Sequence, residues 1–243
     1  MVNKTLIVVC AAALTSAASA GTWSVVASFD GPYEYYAWGI EAYGDYLYCA
    51  MWDDFITVIT TTGSVVGTIP LADHAYDLDF DGTYFWGVDN YGGRRYTSAG
   101  SLLNSFPISF SAFGIVYDGS YIWLSDQMPS PNGRIYRMNT LGSIYSSFPC
   151  PGGAGGGLDR DGPYLWSDKT YDTNSGAWLI TTTGSILDSL DAPDNTQSFG
   201  VAWNAPYLWL SSISPEASGW IYKMYNVTAV APASLGRVKA IYR

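Results

Sequence analysis

Three observations predict an all-β fold, a five-bladed β-propeller of four-stranded blades. A landmark recurs five times, a second landmark follows four of its copies, and a strand missing at one end of the repeat array is supplied from the other. The first landmark reads GIEAYGDYLYCAMWDD from Gly39, DLDFDGTYFWGVDN from Asp77, GIVYDGSYIWLSDQ from Gly114, GLDRDGPYLWSDKT from Gly157 and GVAWNAPYLWLSSI from Gly200. Its starts lie 38, 37, 43 and 43 residues apart. The second is a Gly-Ser pair at Gly63, Gly100, Gly142 and Gly184, each opening a short alternating or apolar run.

The third copy shows how one unit makes four strands. Strand a runs from Gly114 to Tyr117 and turns at Asp118-Gly119, and strand b runs from Tyr121 to Ser125. Strand c runs from Arg134 to Asn139 and turns at Leu141-Gly142, and strand d runs from Ser143 to Phe148. Xaa-Gly pairs supply the positive φ that tight hairpins need. After Ile221 to Met224 no further Gly-Ser turn follows, so the fifth unit lacks its strand d. Gly21 to Phe29 (GTWSVVASF) matches the d segments and directly precedes the first strand a. Closure by this strand leaves no open seam. Residues 21–226 then form the propeller, about 41 residues for each blade.

DGSYIWLSDQ from Asp118 and NGRIYRMNTLGSIYSSF from Asn132 resemble the NHL-type repeat and its relatives among extracellular propellers. The shared features are the Asp-Gly turn, the aromatic-rich strand, the strand-ending Asp and the Arg-Ile pair. The resemblance covers most of the chain beyond residue 20 and implies architecture alone. Such propellers include binding scaffolds, lyases, lactonases and cyclotransferases.

Residues 1–20 have the layout of a secretory signal. A short basic start is followed by the apolar run Leu6 to Leu14 and by Ala18-Ser19-Ala20, with cleavage expected after Ala20. Removing Lys4 with this leader leaves ten basic against twenty-one acidic residues, a net charge of −11. That charge disfavours nucleic acid and anionic lipid as partners, and no segment is long and apolar enough for membrane insertion. A secreted monomer, extracellular, periplasmic or at the cell surface, is the expectation. Cys10 leaves with the leader, and Cys49 and Cys150, two blades apart, are expected to stay unbonded. Residues 227–243 fall outside the repeat and carry Arg237, Lys239 and Arg243, a possible sorting or attachment segment.

The a–b and c–d turns are short and share one face of the ring, whereas the d–a and b–c connections are long, dissimilar and share the other. Function concentrates on variable loops over rigid scaffolds, so the long-loop face is the expected binding face. Its first d–a loop holds Tyr33, Glu34, Tyr35, Tyr36 and Trp38, aromatic rings beside a carboxylate of the kind that suits a sugar or a peptide. The one histidine, His74, lies in the second d–a loop. It excludes multi-histidine zinc sites, and no G-x-S-x-G turn accompanies it.

The third position of strand a reads Glu41, Asp79, Val116, Asp159 and Ala202 around the blades. Strand a is innermost, so three carboxylates are expected near the axis, able to divide acid and base roles or to hold calcium. A second set, Asp53, Asp89, Asp126 and Asp168, ends strand b in four blades and is read as structural because it recurs. The functional expectation is an exported, non-enzymatic binding module for a carbohydrate, peptide or protein ligand, with no cofactor beyond a possible Ca2+. The alternative is a propeller lyase, hydrolase or cyclotransferase that uses the axial carboxylates.

Overall fold

The structure, a computed structural model, describes residues 21–32, 37–51, 53–126, 133–153, 155–169, 175–193, 196–213 and 219–227. Residues 1–20, where the leader is expected, Tyr33 to Tyr36, most of the b–c connections after the third, fourth and fifth strands b, and the residues beyond Val227 lie outside them.

Strand β1 (Trp23–Asp30) comes first, and four complete blades follow it. They are β2 (Gly39–Tyr43), β3 (Tyr46–Ala50), β4 (Phe55–Thr60) and β5 (Val65–Pro70); then β6 (Asp77–Phe80), β7 (Tyr84–Val88), β8 (Gly92–Thr97) and β9 (Leu102–Pro107). The third blade is β10 (Ala112–Tyr117), β11 (Ile122–Asp126), β12 (Arg134–Met138) and β13 (Ile144–Pro149). The fourth is β14 (Leu158–Asp161), β15 (Tyr164–Asp168), β16 (Gly176–Thr181) and β17 (Ile186–Asp191). The fifth holds β18 (Gln197–Asn204), β19 (Tyr207–Ile213) and β20 (Gly219–Asn226). Each blade is an antiparallel meander, and β1 completes the fifth by pairing with β20 from Trp23 opposite Asn226 to Asp30 opposite Trp220. The expected closure is therefore present.

The apolar core lies between blades. Ile40, Leu47 and Ile59 of the first blade pack on Ala202, Trp209 and Ile221 of the fifth, and four further clusters join the other neighbouring pairs. This follows from the period-2 alternation of each strand, which sends successive side chains to the two faces of a blade. Strand b is covered on both faces, and β11 is buried throughout, whereas the outer strands β5, β9 and β13 are largely exposed.

Glycine does two jobs in this ring. At the c–d turns it supplies positive φ, and at Gly100 (φ 83°) a Cβ would also lie 1.9 Å from the Pro70 carbonyl oxygen of the preceding blade. At the axis the need is space alone. A Cβ on Gly157 would meet Gly200 Cα at 2.9 Å, and one on Gly200 would meet Gly39 Cα at 3.0 Å. One on Gly114 would meet the Gly156 carbonyl oxygen at 2.3 Å. Gly157→Ala is thus expected to destabilise the fold by about 2 kcal/mol or more through overpacking. Gly67→Ala, where nothing lies within 4 Å of the added methyl, is expected to be neutral or stabilising by about 0.5 kcal/mol. Urea denaturation of the two variants measures the difference, and equal midpoints would remove the crowding argument.

Candidate functional site: an acidic basin on the axis

The axis is built in layers. The residue just before each first landmark is Trp38, Tyr76, Phe113, Gly156 or Phe199, so four of the five blades offer an aromatic ring. These rings meet across the ring centre. Trp38 lies 5.6 Å from Tyr76, 5.7 Å from Phe113 and 5.4 Å from Phe199, and Tyr76 stacks on Phe113 at 4.6 Å. The long-loop end of the axis therefore carries an aromatic plug. Trp38, expected to face a ligand, belongs to it, and His74 packs beside it 5.4 Å from Tyr76. Tyr33, Glu34, Tyr35 and Tyr36 lie outside the described residues.

Beneath the plug, Asp77 stands where the other four blades have glycine. Its Oδ2 accepts from the Ile115 N–H at 3.0 Å and the Leu158 N–H at 3.1 Å, joining the second blade to the third and fourth. Burial pushes its carboxyl well above the usual range, and those two bonds only partly offset the effect. Asp77 was not singled out from the sequence, although its break of the glycine register was the available signal.

One step further along the axis the structure brings Glu41, Asp79 and Asp159 together, with one oxygen of each within 4.8 Å of the others. They are 6%, 7% and 6% exposed. Asp79 Oδ2 accepts from the Tyr117 N–H at 2.8 Å, and Asp159 Oδ2 accepts from the Trp203 N–H. Each carboxylate thereby binds a backbone donor on the innermost strand of the next blade, a sheet edge that would otherwise lack a partner there. Burial pushes the Asp79 carboxyl up to about 7 against the Tyr117 bond. Glu41 is raised well above its ordinary value, first by burial and then by the charges of Asp159, Asp79 and Asp77. Asp159 is raised by burial and by Asp79.

The trio forms the floor of an open basin of about 780 Å³, rimmed by Tyr43, Tyr84, Tyr117, Trp203 and Arg160. The glycines of the a–b turns, Gly44, Gly119 and Gly162, also line it, so it opens on the short-turn face, opposite the long loops. Arg160 is held by carbonyl groups, its Nε at 2.7 Å from Gly162 O and its Nη1 at 2.6 Å from Asp118 O. The rim residues come from the fourth and fifth positions of strand a and the start of strand b, where the sequence pattern signals only turn and strand.

The strand-end aspartates are less uniform than expected. Asp89 accepts from Tyr91 N at 2.7 Å and Gly92 N at 3.0 Å, and pairs with Arg94 at 2.7 Å, as a structural loop anchor does. Asp168 stands one position earlier in the strand register than Asp89 and Asp126, and exposed Asp53 lies beyond the end of β3. Cys49 and Cys150 are free and buried, and burial pushes each thiol up to about 12, far from thiolate reactivity.

Fold and site together define a five-bladed β-propeller with an acidic basin on its axis. Among solved structures, the Myxococcus xanthus glutaminyl cyclase is similar at a TM-score of 0.66 and 9% identity, over 83% of this chain and 95% of that one. A virginiamycin B lyase from Staphylococcus aureus gives a TM-score of 0.47 at 17% identity, over 83% of this chain and 74% of that one. No protein-family model matches the chain, so the NHL-type label has no support beyond the architecture, and no curated protein matches it. At these identities the likeness speaks for the fold alone.

The raised carboxyls set the pH dependence of stability. A folded-state pKa above the unfolded value means that the folded chain holds the extra proton, so stability falls as pH rises from about 4 to about 7. For Asp79 alone the loss is on the order of 4 kcal/mol. Thermal midpoints in chelator-containing buffer are expected to decline over that window. Asp79→Asn, which keeps an acceptor for the Tyr117 N–H, is expected to flatten the decline. An unchanged slope in the variant would show that Asp79 does not titrate there.

Proposed function

We propose that the protein is a binding module whose operative site is the axial basin, with Glu41, Asp79 and Asp159 holding a divalent cation, calcium first. The observation that carries this reading is the gathering of three carboxylate oxygens within 4.8 Å at the floor of a solvent-open basin. Ionised together and empty, three buried carboxylates repel one another; a cation removes both that repulsion and much of the desolvation cost. Calcium takes six to eight oxygens at about 2.3–2.6 Å, and the open basin lets water complete its shell. Magnesium needs a tighter octahedron at about 2.1 Å, which suits this spread of oxygens less well. The aromatic rim then offers a sugar ring or a peptide a surface to stack on beside the ion. On this reading a carbohydrate or peptide ligand binds the short-turn face and not the long-loop face expected from loop length.

A carboxyl held near neutrality beside two others favours a second reading, in which the trio moves protons in a propeller enzyme. Isothermal titration calorimetry at pH 8 separates the two. Calcium is expected to bind at about 0.1–1 mM and more tightly than magnesium. Affinity should weaken toward pH 5 as protons reoccupy the carboxyls, and Glu41→Gln/Asp79→Asn/Asp159→Asn should abolish binding. The absence of calcium heat from a folded wild-type protein would sink the cation reading and leave the proton-transfer one.

A further inference from the structure

We propose that Asp188 is the receptor for the α-ammonium created when the chain is cut between Ala20 and Gly21, so that leader removal completes the closure of the ring. Asp188 lies on β17, the outer strand of the fourth blade, and faces the outer strand β1 of the fifth. Its Oδ1 accepts from the Gly21 nitrogen at 2.7 Å. Its Oδ2 accepts from Trp23 Nε1 at 3.2 Å and Asn226 Nδ2 at 3.3 Å. One carboxylate thus ties the first residue after the expected cut to the closing strand β1, to its partner β20 and to the neighbouring blade.

Two features suit this position to a terminus. A Cβ at Gly21 would lie 2.3 Å from Asn226 Nδ2 and 2.7 Å from Asp188 Oδ2, so any larger residue there would have to push aside the side-chain ends that hold the nitrogen. Among the described residues no lysine or arginine pairs with Asp188, while the nearby Asp191 already has Lys169 at 2.9 Å. The carboxylate is therefore supplied with neutral donors and lacks a counter-charge. A cavity of about 370 Å³ beside Gly21, lined also by Trp23 and Met224, gives a new terminus access to solvent.

The chemistry of the cut provides that charge. A peptidase-catalysed hydrolysis adds hydroxyl to the Ala20 carbonyl carbon and hydrogen to the Gly21 nitrogen. The amine, with an ordinary pKa of about 7.7–8.0, takes up a further proton at neutral pH. The uncut amide offers Asp188 one N–H and no charge; the cut chain offers an ammonium with three N–H donors. The bond to the uncut amide already ends on an ionised acceptor; the ammonium adds an opposite charge and two further donors to it. Propeller closure here depends on the β1–β20 pairing, so a tether at the very start of β1 acts where strand exchange would begin to fray.

The test compares chains starting at Gly21 with chains extended by Ala20, which carry the same charge one residue out of place. Each is made with Asp188 and with Asp188→Asn. The Gly21 form should melt about 3 °C above the extended form, and the gap should vanish in the asparagine pair. As a second readout, the Gly21 amine should react with an acylating reagent at pH 7 about tenfold more slowly in the wild type than in Asp188→Asn. Intact mass of the exported protein should correspond to a chain starting at Gly21. Equal melting of the two wild-type forms, a gap that persists without Asp188, equal acylation rates, or a different mature terminus would each overturn the proposal.

Discussion

The structure depends on how closely five innermost strands approach one axis. Backbone meets backbone there, with Gly200 on Gly39 and Gly157 on Gly200, at distances that leave no room for a Cβ. Only a residue whose side chain turns into the centre can replace glycine in that layer, and Asp77 does so by bonding the N–H groups of Ile115 and Leu158. The same crowding blocks the axis, and with the aromatic plug it separates the molecule into two faces. A ligand at the carboxylates enters from the short-turn side.

The constraint also explains why carboxylates sit on the axis. An innermost strand is a sheet edge, and its inward N–H groups need acceptors once the ring has closed over them. Asp79 and Asp159 each supply one across a blade boundary, to Tyr117 and Trp203. That service across the blade boundary occupies Oδ2 of each side chain, and Asp159 Oδ1 accepts in addition from the Arg160 N–H of its own strand. It does not account for Glu41, whose added charge raises the electrostatic cost of the site, nor for the open basin above the trio. The Asp118 carboxylate at the rim makes the contrast. Burial opposes its charge, but bonds from Trp123, Tyr121 and Ser120 outweigh that and lower its pKa. At the rim the donors outweigh burial; at the floor they do not, even for Asp159, whose Oδ1 also accepts from the Arg160 N–H at 2.5 Å.

Much of the fold was legible because each repeat carries its own punctuation. The Xaa-Gly turns placed β10 to β13 within about two residues, and the absent fifth strand d identified β1 as the closing strand. The approach of Glu41, Asp79 and Asp159 was legible for the same reason, since one register position on the innermost strand must face one axis. What period alone could not show was which end of the axis is shut. That depends on Trp38, Tyr76, Phe113 and Phe199 converging from four blades, and in one dimension they read as unrelated loop residues. The strand-end aspartates show the converse: Asp89 anchors its loop as a structural residue does, but the set does not share one register. Asp168 resembles Asp89 in sequence, yet it pairs one step earlier because β15 reaches its aspartate sooner after the tyrosine that opens the strand.

Loop length and axial geometry point to different faces, for a physical reason. Long loops mark the face where sequence can vary without disturbing the blades, and that freedom is compatible with binding but does not require it. A site on the axis obeys a different rule: it forms where inner strands leave space for side chains, on whichever side the backbone crowding ends. Here the crowding occupies the first position of strand a and has ended by the third, where Val116 and Ala202 stand beside the three carboxylates. Both are buried in the apolar clusters between blades, and they add no charge to the layer. The asymmetry among the five copies, acid at three and small apolar at two, distinguishes this layer from the structural aspartates of the turns.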